Sequence, residues 1–252
     1  MYKIKESFVS RITFKTFSPR SENPALRLIC FPYAGGSGNI YEEWQGHIGS
    51  NVEVCAAQLP GRGARFNEPK HITLGDLLDE CEEAILPLLD QPFAIFGHSL
   101  GAVVAFAFAQ RLEKSGKVPQ HLFVSGASAP VDGSEYKKTR DLNDQELVEW
   151  MSEINGTPVE LMNDPELMEI ALPILRADFA IASSYKHVDA RLKTSATVFG
   201  GSEDKNIPVE QLSSWGNLVT GRVQVEVIQG DHFFIHGNEE VVITAIRRTL
   251  GL

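Results

Sequence analysis

The stretch "FAIFGHSLGAVVAFAFAQRL", residues 93–112, sets a serine between glycines at the point where two apolar runs meet. "FAIF" reads as a buried strand and "AVVAFAFAQRL" as a helix. Between them "GHSLG" (97–101) matches G-x-S-x-G, the pattern of a serine lifted off a sheet on a sharp strand-to-helix turn. Glycines on either side let strand and helix approach closely. A serine that merely opens a helix would look similar. With a strand before it and a helix after it, Ser99 is read as a nucleophile. The amide of Leu100 and the helix amino terminus then point at a developing oxyanion. His98, at the variable position of the motif, is read as a neighbour that shapes the site and not as the base.

Outward from this motif, "LRLICFP" (26–32), "VEVCAAQL" (52–59), "FAIFG" (93–97), "HLFVSG" (121–126), "SATVFG" (195–200) and "VQVEVI" (223–228) read as strands. Most lack polar alternation, as expected of parallel strands covered on both faces. Helical periodicity covers 74–90, where Thr73 and Asp76 form a capping box, and helices are also expected at 100–114 and 239–250. Alternating strands and helices predict an α/β fold, a mostly parallel sheet with helices on both faces. The chain reads as a single domain over 1–252.

One segment breaks the alternation. From about 133 to 190 there is helical pattern without a convincing strand. Leu147, Trp150, Met151 and Ile154 share a helix face, with Asn143 and Glu146 as a capping box and Gly156 as a stop. A second helix starts at Asp164-Pro165, and Pro173 is expected to break or kink it. This insertion is read as a helical lid over the site, the alternative being a second packing layer without function.

A serine hydroxyl needs a base, and in this fold the order along the chain is Ser, acid, His. The base should follow the last strand. His232 in "GDHFFIH" stands there, with His236 as its rival. The acid should follow the preceding strand, where "GGSEDKNIP" offers Asp204, the preferred residue, and Glu203. Asp132, after the strand at 121–126, is read as a turn residue. The second oxyanion amide belongs to the loop "CFPYAGGSG" (30–38) and comes from Tyr33 or Ala34. A metal site built on Asp231, His232 and His236 is not expected, because Gly230 and Gly237 argue against the helix that a shared face would need.

Composition limits the partners. The chain is 43% hydrophobic with a net charge of −10, which disfavours nucleic acid and anionic membranes. No apolar run reaches the length of a membrane span, and the first residues lack a signal-peptide core, so a cytoplasmic protein is expected. Cys30, Cys55 and Cys81 are each expected to be buried, reduced thiols.

"FPYAGGSG", "LPGRGARFNEP" (59–69), "GHSLGA", "LPILRADF" (172–179), "GGSEDKNIP" and "GDHFFI" together resemble the type II thioesterases of nonribosomal peptide and polyketide synthesis, over nearly the whole chain. The resemblance implies the α/β-hydrolase fold with a helical lid. It also implies a stand-alone editing enzyme that hydrolyses aberrant or stalled acyl groups from phosphopantetheine on carrier-protein domains. Ser99, His232 and Asp204 carry over as nucleophile, base and acid, and no metal or organic cofactor is implied. The family's acidic residue directly after "GG" is replaced here by Ser202.

Some residues carry less specific expectations. Arg62 and Arg65 are expected to brace their loop through ion pairs rather than meet the pantetheine phosphate, and Arg176 to pair with Asp178. Lys137, Lys138 and Arg140 form a basic cluster that is read as a solvated face before a carrier-docking patch. Trp150, Met151 and Phe179 either line an acyl pocket or pack the lid. An esterase for free substrates, an acyltransferase or cyclase, and an inactive binding partner are the competing functions. A monomer is expected.

Overall fold

Side chains alternate across the central strands without leaving either face to water. In β2 (Leu26–Phe31), Ile29 and Phe31 join one apolar cluster while Leu28 and Cys30 join another. In β4 (Phe93–His98), Phe93 and Ile95 point to the first cluster and Ala94 and Phe96 to the second. Two buried faces explain why these runs show no polar alternation. The computed structural model describes residues 13–19, 23–130, 136, 138–153, 164–188 and 190–252. Ile154, Gly156, Asp132, Lys137 and the Arg140 side chain lie outside them.

Among the described residues, seven strands form one sheet. The others are β1 (Phe14–Thr16), β3 (Val52–Ala57), β5 (Leu122–Ser125), β6 (Ala196–Gly201) and β7 (Val223–Ile228), and the spatial order is β1-β3-β2-β4-β5-β6-β7. All neighbours run parallel except β1, which pairs antiparallel with β3. The sequence reading did not anticipate β1, because three residues at a sheet edge carry too short a pattern to register. β7 is the opposite edge, and Val225 and Val227 are exposed on it.

The helices α1 (Trp44–Ile48) and α6 (Glu239–Leu250) cover one face. The other face is covered by α2 (Leu74–Ile85) and α3 (Leu100–Lys114). The helix expected at 74–90 ends at Ile85 and continues as a 3-10 turn, Leu86–Leu88, because Pro87 has no amide hydrogen to extend the ladder. Thr73 accepts from the Asp76 amide, as its capping box requires. Between β5 and β6 stand α4 (Asp144–Glu153) and α5 (Pro165–Ser183). Asn143 and Glu146 cap α4 reciprocally, and Asp164 caps α5. α5 runs through Pro173 without a break, so of the expected break or kink the break does not occur. Leu147, Met151, Met168, Leu175 and Phe179 give these two helices a small core of their own, while Ile181 and Ala182 at the end of α5 enter the main core.

Strand order reverses about β2. β3 lies on one side and β4 on the other, with Phe31 in register with Gly97. The chain therefore leaves β2 and β4 in opposite directions across the sheet, opening a crevice beyond their carboxyl ends where ligands bind in such folds. Residues 32–36 and Ser99 stand on its two sides.

Candidate active site

Ser99 follows β4 directly and has φ 55° and ψ −118°, the one non-glycine residue with positive φ among those described. A backbone held there costs on the order of 1–3 kcal/mol and persists only when its surroundings enforce it. The enforcement is visible. The Ser99 amide donates to Ser125 O at 2.8 Å, and Ser99 O accepts from the Ala102 amide at 2.9 Å. A Cβ on Gly97 would lie 2.0 Å from Gly101 O, and one on Gly101 would lie 2.1 Å from Phe31 O. Both glycines of the motif are therefore required by contact between strand and helix. Ser99 precedes α3, yet its side chain makes no capping bond.

The hydroxyl turns instead to His232, with Oγ 3.0 Å from Nε2. His232 lies after β7, and its Nδ1 is 2.8 Å from Asp204 Oδ2. A carboxylate can only accept, so Nδ1 carries the proton and Nε2 is left to accept from the serine. Asp204 lies after β6 with its side chain wholly buried. Its other oxygen, Oδ1, accepts from the amides of Asn206 at 2.9 Å and Ile207 at 3.1 Å. The carboxylate is thus held by three donors. Loops after β4, β6 and β7 bring together residues 105 and 28 positions apart in sequence. A hydroxyl so placed can lose its proton to the imidazole as it attacks a carbonyl, while the carboxylate offsets the imidazolium charge.

The rival residues lie elsewhere. Glu203 is exposed, and His236 Nε2 hydrogen-bonds the Tyr33 hydroxyl at 3.0 Å, away from Ser99. His98 is wholly buried, with Nδ1 2.9 Å from Ser125 Oγ. Burial, followed by the charges of His232 and His236, pushes its pKa well below the ordinary histidine range. It remains neutral and cannot compete for the serine proton. No group of three or more potential metal ligands occurs among the described residues. Cys30, Cys55 and Cys81 are buried.

Ser99, Leu100, His232, Tyr33 and Ala34 border a cavity of about 60 Å³. Tyr136, Trp150, Met151, Leu175 and Phe179 form its apolar wall, so the helices between β5 and β6 overlie the serine. Trp150, Met151 and Phe179 both line the cavity and pack with one another. Tyr33 meets Phe233 edge to face at 5.0 Å, and Phe233 meets His232 edge to face at 5.5 Å. Lys138 stands over the Trp150 ring at 5.5 Å.

Arg62 and Arg65 are buried in ion pairs, Arg62 with Asp178 and Arg65 with Glu68 and Glu80. The expected Arg176–Asp178 pair does not form. Residues two apart on a helix point in different directions, so Arg176 reaches Asp144 on α4 while Asp178 turns inward to Arg62. The inward partner was invisible in sequence because 116 residues separate the two.

Two of these groups predict an acid response. Burial would raise the Glu80 carboxyl, but hydrogen bonds from His71 and Arg65 and the Arg65 charge outweigh it and hold the pKa at about 2. Its contribution to stability is complete above its ordinary 4.5 and is lost as pH falls toward 2. His98 is depressed as well, so below its ordinary 6.5 the unfolded chain takes up a proton that the folded one refuses. Urea midpoints should fall below pH 6.5 and fall again below pH 4.5. His98→Asn should reduce the first limb, leaving the share of His121, whose pKa burial lowers to about 4, and Glu80→Gln should flatten the second. A midpoint constant from pH 7 to 5 would contradict the His98 assignment.

Comparison with known proteins places this architecture. The family model described as "thioesterase domain" matches residues 26–250. Linear gramicidin dehydrogenase LgrE of Brevibacillus parabrevis is 39% identical over 228 residues, 88% of this chain and 87% of its own. Gramicidin S biosynthesis protein GrsT of Aneurinibacillus migulanus is 36% identical over 250 residues, 98% of this chain and 97% of its own. Among solved structures, the type II thioesterase BorB from the borrelidin biosynthetic cluster superposes with a TM-score of 0.84 at 28% identity, covering 95% of this chain and 98% of BorB.

Proposed function

The chain belongs to the thioesterase family and has the α/β-hydrolase fold of its type II members, and from that premise we propose that it is a stand-alone editing enzyme. It removes aberrant or stalled acyl groups from the phosphopantetheine arm of carrier-protein domains in a nonribosomal peptide or polyketide synthase. The observation that carries this reading is the hydrogen-bonded chain from Ser99 through His232 to Asp204, opening into a cavity walled by α4 and α5.

In the proposed reaction Ser99 Oγ attacks the thioester carbonyl and its proton passes to His232 Nε2. Asp204 keeps Nδ1 protonated and offsets the imidazolium charge. The Leu100 amide and that of Tyr33 or Ala34 stabilise the oxyanion. Collapse expels the pantetheine thiol, which takes the proton from His232, and leaves an acyl-Ser99 ester. Water then gives a proton to His232, attacks the ester and releases the acid, and the proton returns to Ser99. The chemistry calls for no metal or organic cofactor. The enzyme acts as a monomer in the cytoplasm beside its synthase; no helix among the described residues is long and apolar enough to cross a membrane.

The name of the Brevibacillus relative refers to a dehydrogenase. In a dinucleotide-binding doubly wound fold, a nicotinamide cofactor is held by G-x-G-x-x-G after the first core strand. Here that stretch is Gly36-Ser37-Gly38-Asn39-Ile40-Tyr41, with Tyr41 buried where the third glycine would stand. Hydrolysis is the chemistry these residues support.

The test is intact-protein mass spectrometry of an acetylated, phosphopantetheinylated carrier domain incubated with the enzyme. Loss of acetyl, faster than from acetyl-pantetheine alone, is the expected result. Preference for free oxygen esters would move the assignment to an esterase, and capture of the acyl group by added amine would move it to an acyltransferase.

A further inference from the structure

Asp178 lies within α5 and is fully buried. Three donors converge on it. The Gly35 amide donates to Oδ2 at 2.7 Å, Arg62 Nη1 to the same oxygen at 2.6 Å, and Arg62 Nη2 to Oδ1 at 2.6 Å. Arg62 Nη1 also donates to Gly36 O at 3.2 Å. One turn earlier on the same helix, Leu175 rests on Gly35, whose φ is +79°. A Cβ at Gly35 would come within 3.0 Å of Leu175 Cδ2. α5 therefore grips the loop after β2 through a charge pair and an apolar contact three residues apart.

This arrangement bears on the oxyanion site. The Gly36 amide turns back to Tyr33 O at 3.0 Å, and the Gly35 amide is committed to Asp178. The amides of Tyr33 and Ala34 are then the ones in this turn left for an oxyanion, and both residues border the cavity beside Ser99. A carboxylate and a guanidinium buried together are costly to separate, because each would be left without a partner away from water. Helix and loop are thereby held as one body.

We propose that Asp178 is a positioning residue that makes the oxyanion site conditional on the seating of α5. With α5 seated, Asp178 fixes Gly35 and so sets the Tyr33 and Ala34 amides at the distance an oxyanion requires. With α5 displaced, the turn loses its anchor and Ser99 faces an incomplete site. Access to the serine and readiness of the site are opposed states of one element. This rests on the reading of Ser99 as nucleophile.

The experiment compares wild type with Asp178→Asn on the acetylated carrier, together with the affinity of each for an alkylboronic acid, which forms a tetrahedral adduct on the serine. Asparagine keeps the shape of the side chain but removes one acceptor and the charge. The expected result is a kcat lowered about 100-fold, the scale of an ångström misplacement, with KM little changed and boronate affinity falling in step with kcat/KM. A purely structural role would lower the melting temperature and leave kcat in the folded fraction intact, and that outcome would overturn the proposal. Should the variant not fold, amide hydrogen exchange on wild type decides. Peptides from loop 31–38 and helix 165–183 are expected to open together and to gain protection together with boronate bound. Opening of the helix while the loop stays protected would overturn the proposal equally. Fluorophosphonate labelling of wild type separates the two readings, since an unreactive Ser99 fails the nucleophile reading itself, whereas a reactive Ser99 with unchanged Asp178→Asn kinetics fails only this one.

Discussion

Ser99→Ala is expected to lower kcat on an acetylated carrier protein by about a millionfold, the scale seen when a serine hydrolase loses its nucleophile. That is about 8 kcal/mol of transition-state stabilisation. The fold should be unaffected. Alanine places the same Cβ at φ 55° that serine does, and the hydroxyl makes no helix-capping bond whose loss would weaken α3. The melting temperature is therefore expected to stay within a degree or two, in keeping with a change near 0.5 kcal/mol or less. The double variant Ser99→Ala, His232→Ala should lose no more activity than Ser99→Ala alone, because the two act as a unit. Single-turnover release of acetate checks both statements, and retained turnover in Ser99→Ala would remove the serine from the mechanism.

Asp204→Asn is expected to lower kcat about ten-thousandfold. Its effect follows from the two backbone donors on Oδ1. The amides of Asn206 and Ile207 require an acceptor, so the asparagine oxygen must face them and its NH2 must face His232 Nδ1. Nδ1 is then forced to accept, the imidazole proton moves to Nε2, and the base presents a donor to Ser99 where an acceptor is needed. Fluorophosphonate labelling should slow in parallel, with the melting temperature nearly retained, since all three hydrogen bonds to the side chain can still form. A variant within tenfold of wild type would mean that Asp204 orients nothing the reaction uses.

Much of this site could be read along the chain. G-x-S-x-G between a strand and a helix located Ser99, and the order serine, acid, histidine picked out Asp204 and His232 after the last two strands. Each of those inferences uses residues within ten positions of a strand end. The helices between β5 and β6 were legible for the same reason, since their capping boxes and apolar spacing are local. What escaped was long in range or short in length. Arg176 and Asp178 looked like partners because they are neighbours in sequence, but helical geometry sends one to α4 and the other to Arg62. β1 was missed because three residues form no readable period. His236, four residues after His232, proved to be a partner of Tyr33.

By itself, then, the sequence determined the layer architecture, the strand-turn-helix element that carries Ser99, and the identity of the groups available as base and acid, because periodicity, glycine placement and capping are properties of short segments. Tertiary structure alone decided which groups meet. It set Nε2 3.0 Å from Oγ, gave Asp204 its two amide donors, and buried Asp178 against Arg62 and Gly35. Those contacts depend on strand order and on where loops from separate strands converge, and no local pattern encodes a distance between residues 116 positions apart.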